Sequence, residues 1–187
     1  IPKNAFVLIF IGKFIEIKRP LDLARAFKNI LDKDLKNIHV IFVGDGPLLN
    51  QLENETTNYK SYFHFVGFKN QSEVPSYLAA CDLLVLSSFQ ETWGLVVNEA
   101  MACGIPVLVS SGVGCAPDLV EDGKTGFIFD MGNINSLERK IIESFDEIQN
   151  RNSELKKNIA DKISIYSMKN ATKKLLAALD IIKNEIL

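Results

Sequence analysis

Short runs of consecutive apolar residues alternate along the chain with longer stretches in which apolar positions recur every three or four residues. The runs are Phe6–Ile11, His39–Val43, Phe63–Val66, Leu83–Leu86, Pro106–Val109 and Gly126–Phe129. Most are continuously apolar, the pattern of strands covered on both faces. Pro20–Leu31, Pro47–Asn54, Glu73–Ala80, Leu95–Cys103 and Asn135–Ile148 read as helices. Pro20 and Pro47 suit a first helical turn, where the backbone needs no amide donor. Beyond Ile148 the sequence turns polar. An apolar stripe through Ala171, Leu175, Leu176, Leu179 and Ile182 then predicts a last helix from about Ser167 to the end.

Strands alternating with helices predict an α/β fold: a Rossmann-like parallel β-sheet with helices on both faces, joined by right-handed crossovers. Ligands of such sheets bind beyond the carboxyl ends of the strands, where the strand order reverses. The loops after Ile11, Val43, Val66 and Leu86 are therefore the places to look for chemistry.

Composition narrows the function classes. The 187 residues suffice for one domain, 1–187, and 47% apolar with 24% charged residues is the make-up of a globular protein. The net charge is −2, with Lys and Arg dispersed, so a nucleic acid partner is not expected and any anion site must be local. No apolar run approaches the roughly 18 residues of a spanning helix. The opening Ile1-Pro2-Lys3-Asn4 carries no secretory signal and no initiator Met, so the chain is expected to be cut from a longer protein. Cys81, Cys103 and Cys115 have no CxxC spacing and read as thiols in a reducing compartment, and a cytoplasmic location is expected. Asn54-Glu55-Thr56, Asn70-Gln71-Ser72 and Asn170-Ala171-Thr172 read as chance sequons.

In the first loop Gly12 ends a strand, Lys13 and Lys18 follow, and Pro20 opens a helix. Glycine permits a tight turn, and lysines carry compact charge suited to a diphosphate, although loop lysines are more often simply solvated. Val43-Gly44-Asp45-Gly46-Pro47 is as readily a tight turn as a ligand contact, and lacks the third glycine of a dinucleotide fingerprint. At Val66-Gly67-Phe68 a flat base can lie against backbone and an aromatic ring, or Phe68 belongs to the core. The loop after Leu86 says most. A polar stretch passes through Glu91, and a helix starts near Gly94, presenting free amides and a positive dipole end suited to phosphate. Glu91 and Glu99 can both point into the cleft, where carboxylates accept hydrogen bonds from sugar hydroxyls at about 1.5–3 kcal/mol each.

The string Glu91-Thr92-Trp93-Gly94-Leu95-Val96-Val97-Asn98-Glu99, continued by Ala100-Met101-Ala102-Cys103-Gly104-Ile105-Pro106-Val107, resembles the E-x7-E signature of the group 1 glycosyltransferases. Further positions fit in order: Gly12, Lys13 and Lys18; Val43–Pro47; Phe65–Phe68; Glu121-Asp122-Gly123-Lys124-Thr125-Gly126-Phe127; and Tyr166-Ser167. The resemblance thus covers the chain from Phe6 to the last helix. It implies the donor-binding C-terminal half of a retaining, two-Rossmann-domain (GT-B) enzyme, whose acceptor-binding domain precedes this one. Its partners would be a UDP- or GDP-linked sugar, that N-terminal domain, contacted by a final helix over about 165–187, and the membrane surface in a peripheral manner. Polysaccharide biosynthesis is a common setting.

By the same resemblance Glu99 should hold the ribose and Glu91 the transferred sugar. Lys13, Lys18 and the amides of Gly94, Leu95 and Val96 should face the diphosphate, and Gly12, Val66 and Phe68 should line the nucleotide site. Lys13 stands where the family usually has arginine, so the bidentate fork is lost there. The family needs no cofactor and no essential metal. Asp32-Lys33-Asp34, His39 and His64 lack ligand spacing and read as structural. Two other classes stay open: a non-catalytic nucleotide-sugar-binding module, and another GT-B enzyme such as a phosphorylase or epimerase. A redox dehydrogenase is disfavoured by the incomplete Gly-x-Gly loop.

Overall fold

All six predicted strands form in the computed structural model, which describes residues 1–33 and 37–186. They are β1 (Phe6–Ile11), β2 (Ile38–Val43), β3 (Phe63–Phe65), β4 (Leu83–Leu86), β5 (Val107–Ser110) and β6 (Phe127–Phe129). The helices are α1 (Pro20–Asp32), α2 (Leu49–Glu55), α3 (Val74–Ala79), α4 (Leu95–Ala102), α5 (Ala116–Leu119), α6 (Ile134–Ile165) and α7 (Met168–Ile186). The strands pair in parallel in the order β3-β2-β1-β4-β5-β6. The chain therefore winds outward from β1 in one direction and then restarts beside it. The switch point lies between β1 and β4, where a ligand crevice is expected.

Apolar residues on both sides of each strand explain why the sheet is sandwiched. On one face, Phe27 of α1 stacks edge-on against Phe63 at 5.1 Å, and Phe145 of α6 against Phe6 at 5.0 Å. Leu86 points to the opposite face and meets the start of α4. The carboxylate of Asp82 accepts the Val7 amide at 2.8 Å, which sets the start of β4 against β1.

Three departures from the periodicity have local causes. Pro47 lies in the turn before α2, because the Leu49 amide bonds back to the Gly46 carbonyl at 3.0 Å. The polar stretch after Ile148 continues as helix, kinked at Arg151 (φ −130°), because Leu155 and Ile159 within it are buried. The four-residue α5 was too short to show a period. Asp32 accepts a hydrogen bond from Tyr59 at 2.6 Å, while Asp34 of the Asp-x-Asp pattern lies outside the described residues. No described helix is long and apolar enough to cross a membrane.

His39 and His64 stack on neighbouring strands, with Nδ1 of the first 3.2 Å from Nε2 of the second. Burial lowers the pKa of both, and for His64 the neighbouring imidazole adds to the shift. The unfolded chain, with ordinary imidazoles near pH 6.5, then binds more protons than the folded one. This contribution to stability is complete above that pH and is lost as the pH falls below it. Urea unfolding midpoints should thus drop between pH 7.5 and 5.5, and the drop should shrink in His64→Gln. An identical pH dependence in the variant would remove the pair as its source.

Candidate donor site

The loop after β1 is pinned by one aromatic side chain. Phe14 is fully buried, its ring 6.0 Å from Phe10 and 6.2 Å from Phe42, with Lys13 just before it. Its amide donates to the Asp45 carbonyl at 2.9 Å, and its carbonyl accepts the Leu48 amide at 3.0 Å. The loop after β2 can lie this close only because position 44 is glycine: a Cβ there would sit 1.9 Å from the Gly12 carbonyl oxygen. The glycines after β2 are thus explained by loop packing as well as by the cleft they line. Phe14→Ala should cost about 3–5 kcal/mol of stability by the usual toll of an emptied aromatic site. A loss under about 1 kcal/mol in urea unfolding would show that Phe14 does not anchor the loop.

At the carboxyl ends of β1 and β2 these loops enclose an open cleft of about 540 Å³. Gly12, Lys13 and Phe68 line it, joined by Asp45, Gly46 and Lys69. Phe68 is 76% exposed, so it is a surface ring on the cleft wall rather than a core residue. Val66 stands at the end of β3, its amide held by the Phe42 carbonyl at 3.1 Å. Lys69 was not singled out in the sequence, where nothing but its place next to Phe68 marks it.

Across the switch point, Lys18 and Glu91 meet. The Lys18 ammonium contacts the Glu91 carboxylate, with both side chains only about a fifth exposed (24% and 18%). The two lysines thus differ: Lys13 faces the cleft, whereas Lys18 reaches over to the β4–α4 loop. Glu91 is fixed through its backbone by the loop after β5. Its amide donates to the Gly112 carbonyl at 3.2 Å and its carbonyl accepts the Gly114 amide at 2.9 Å. The next tie runs from the Cys115 amide to the Trp93 carbonyl at 3.0 Å, while the Trp93 indole donates to Asn98 at 2.7 Å. This fifth loop was not among the four the sequence pointed to, although its Gly-x-Gly after a strand is the same signal that marked the loop after β2.

Gly94 caps α4 in the left-handed conformation (φ 96°, ψ 62°), a region that glycine enters at little cost. A Cβ on it would press Leu86, Val113 and the Glu91 side chain at 3.2–3.3 Å. Among the described residues no side chain caps the helix, so the Leu95 and Val96 amides stand free at its positive end, where the dipole favours an anion by about 0.3–1 kcal/mol. Leu95 is 71% exposed and Val96 partly buried. Glu99 lies one turn further on, half-buried and without an ion-pair partner among the described residues. The cysteines stand apart from this chemistry: burial pushes Cys81 up to about 12 and Cys115 up to about 11, so neither is a ready thiolate.

The carboxyl ends of the central strands thus carry a cleft that holds Lys13 and Phe68, and a Lys18–Glu91 pair packed against the start of α4. Comparison with known proteins shows the family. Residues 1–162 match the family described as glycosyl transferases group 1. The chain is 30% identical over 187 residues to UDP-Gal:alpha-D-GlcNAc-diphosphoundecaprenol alpha-1,3-galactosyltransferase of Escherichia coli, covering 97% of this chain and 43% of that protein. It is 32% identical over 154 residues to N-acetyl-alpha-D-glucosaminyl L-malate synthase of Bacillus anthracis, covering 81% and 39%. Among solved structures, Anabaena Alr3699/HepE in complex with UDP and glucose superposes with a TM-score of 0.75 at 26% identity, covering 94% of this chain and 49% of that one. The chain thus spans less than half the length of these relatives, and it belongs to the group 1 glycosyltransferases.

Proposed function

We propose that the chain binds the nucleoside-diphosphate sugar from which a retaining hexosyltransferase moves its sugar to an acceptor. One observation carries the reading: Lys18 contacts Glu91 beyond the ends of β1 and β4, and Glu91 lies against Gly94, which opens α4. In this reading the base lies along Val66–Phe68 and the ribose hydroxyls bond Glu99. The diphosphate sits between Lys13, Lys18 and the amides of Gly94–Val96, and Glu91 holds the transferred hexose. Negative charge grows on the leaving diphosphate as the glycosidic bond breaks, and cations and amide dipoles held beside it stabilise that charge. Lysines and helix amides fill that role, so no resident metal is required. The relatives named for UDP-linked chemistry favour UDP over GDP as the carrier.

The whole protein is proposed to contain a preceding acceptor-binding domain. Helix α7 fits a contact with it, since Leu175, Leu176, Leu179 and Ile182 are 46–61% exposed along the helix. The 187 residues alone should bind donor without transferring sugar, and transfer by this chain alone would contradict the division of labour. Calorimetry with uridine, UDP and deoxy-ribose analogues tests the site. Glu99→Ala should weaken UDP by about 10–100-fold, the worth of hydrogen bonds to a carboxylate, and should leave 2′,3′-dideoxy-UDP unaffected. Equal losses for both ligands would place the ribose elsewhere.

A further inference from the structure

The Lys18 side chain reaches Glu91 from an unusual stretch of backbone. Arg19, the next residue, is left-handed (φ 49°, ψ 46°), the one non-glycine residue with positive φ among those described. It precedes Pro20, and the residue before a proline is normally pushed towards the extended region. A backbone held in a sparsely populated conformation persists only where its surroundings fix it.

Local ties hold it, the Arg19 amide to the Glu16 carbonyl and the Asp22 amide to the Arg19 carbonyl, both at 3.1 Å, and one tie comes from far along the chain, from Ser87 at the start of the loop after β4. Its hydroxyl, in a residue only 1% exposed, lies 3.0 Å from the Lys18 carbonyl oxygen and 2.9 Å from that of Arg19. One donor thus serves the two carbonyls that flank the strained residue's peptide unit. A second tie runs alongside, from the Phe89 amide to the Ile17 carbonyl at 2.8 Å. The neighbouring Ser88 hydroxyl, equally buried, has no partner among the described residues, so burial alone does not account for the bonds of Ser87.

We infer that Ser87 is a positioning residue for the diphosphate end of the site. Its hydroxyl holds the Lys18–Arg19 turn left-handed, and that turn sets the point from which Lys18 reaches Glu91 and, once released, the diphosphate. Ser87 is itself buried and acts through Lys18. The inference rests on the donor-site reading above and adds a residue to it.

The two can be tested separately by titrating the 187-residue chain with uridine and with UDP, followed by NMR. Ser87→Ala should weaken UDP by about fivefold or more, the share of one lost hydrogen bond, and leave uridine unchanged. Arg19→Gly alone should bind UDP within about twofold of wild type, since glycine takes the left-handed turn unaided. The double variant Ser87→Ala/Arg19→Gly should recover wild-type UDP binding, a non-additive rescue that a mere packing role would not produce. Should Ser87→Ala fail to fold, the double variant alone decides, because it must fold and bind UDP. Unchanged UDP affinity in Ser87→Ala, an equal loss for uridine, or absence of rescue overturns the positioning role while leaving the donor site standing. A wild type that binds neither ligand sinks the donor site and the positioning role together.

Discussion

Glu91→Ala is expected to weaken a UDP-hexose by about 10–100-fold while tightening UDP itself by up to about fivefold. The first effect is the loss of hydrogen bonds between a carboxylate and sugar hydroxyls, at about 1.5–3 kcal/mol. The second follows from the ion pair: Lys18 is held by Glu91, and the diphosphate must compete for the same ammonium. Removing the carboxylate frees Lys18 and removes a like charge beside the phosphates. A partly exposed pair is worth about 0.2–1 kcal/mol, which sets the upper limit on the gain. The two ligands should therefore respond in opposite directions, a result no general unfolding of the site could mimic. Calorimetry on both ligands checks it, and parallel losses for UDP and UDP-hexose would remove Glu91 from the sugar subsite.

Gly94→Ala is the second large effect. A left-handed alanine costs about 1–2 kcal/mol, and its Cβ meets Leu86, Val113 and Glu91 at 3.2–3.3 Å. Relieving that crowding shifts the backbone that presents the amides of Leu95 and Val96. UDP affinity should fall at least about tenfold, with a loss of several degrees in thermal midpoint. UDP binding within twofold of wild type in this variant would show that the start of α4 is not the phosphate site.

Much of this was legible before any coordinates. Continuous apolar runs such as Leu83–Leu86 gave the parallel sheet, because strands covered on both faces leave no polar alternation. The string from Glu91 to Val107 gave the family. Strand order was not legible, since periodicity identifies strands but not their neighbours, and the β1/β4 switch point emerged only from pairing. The extension of α6 was hidden because its buried residues there, Leu155 and Ile159, are sparse in a charged stretch. Within the site, sequence named Lys13 and Phe68, which line the cleft, but missed Lys69 beside them and did not show what holds these loops. Ser87, Gly112 and Gly114 act through backbone contacts to residues far away in the chain, and such contacts leave no spacing to read. The pairing of Lys18 with Glu91 was likewise invisible, because 73 residues separate them.

The most direct test is a crystal structure of the 187-residue chain soaked with UDP-glucose. The pyrophosphate should lie against the amides of Leu95 and Val96, with Lys18 turned from Glu91 towards it, the ribose on Glu99 and the hexose on Glu91. A ligand bound at another strand end, or a Glu91 and Glu99 that leave the sugars untouched, would contradict the account.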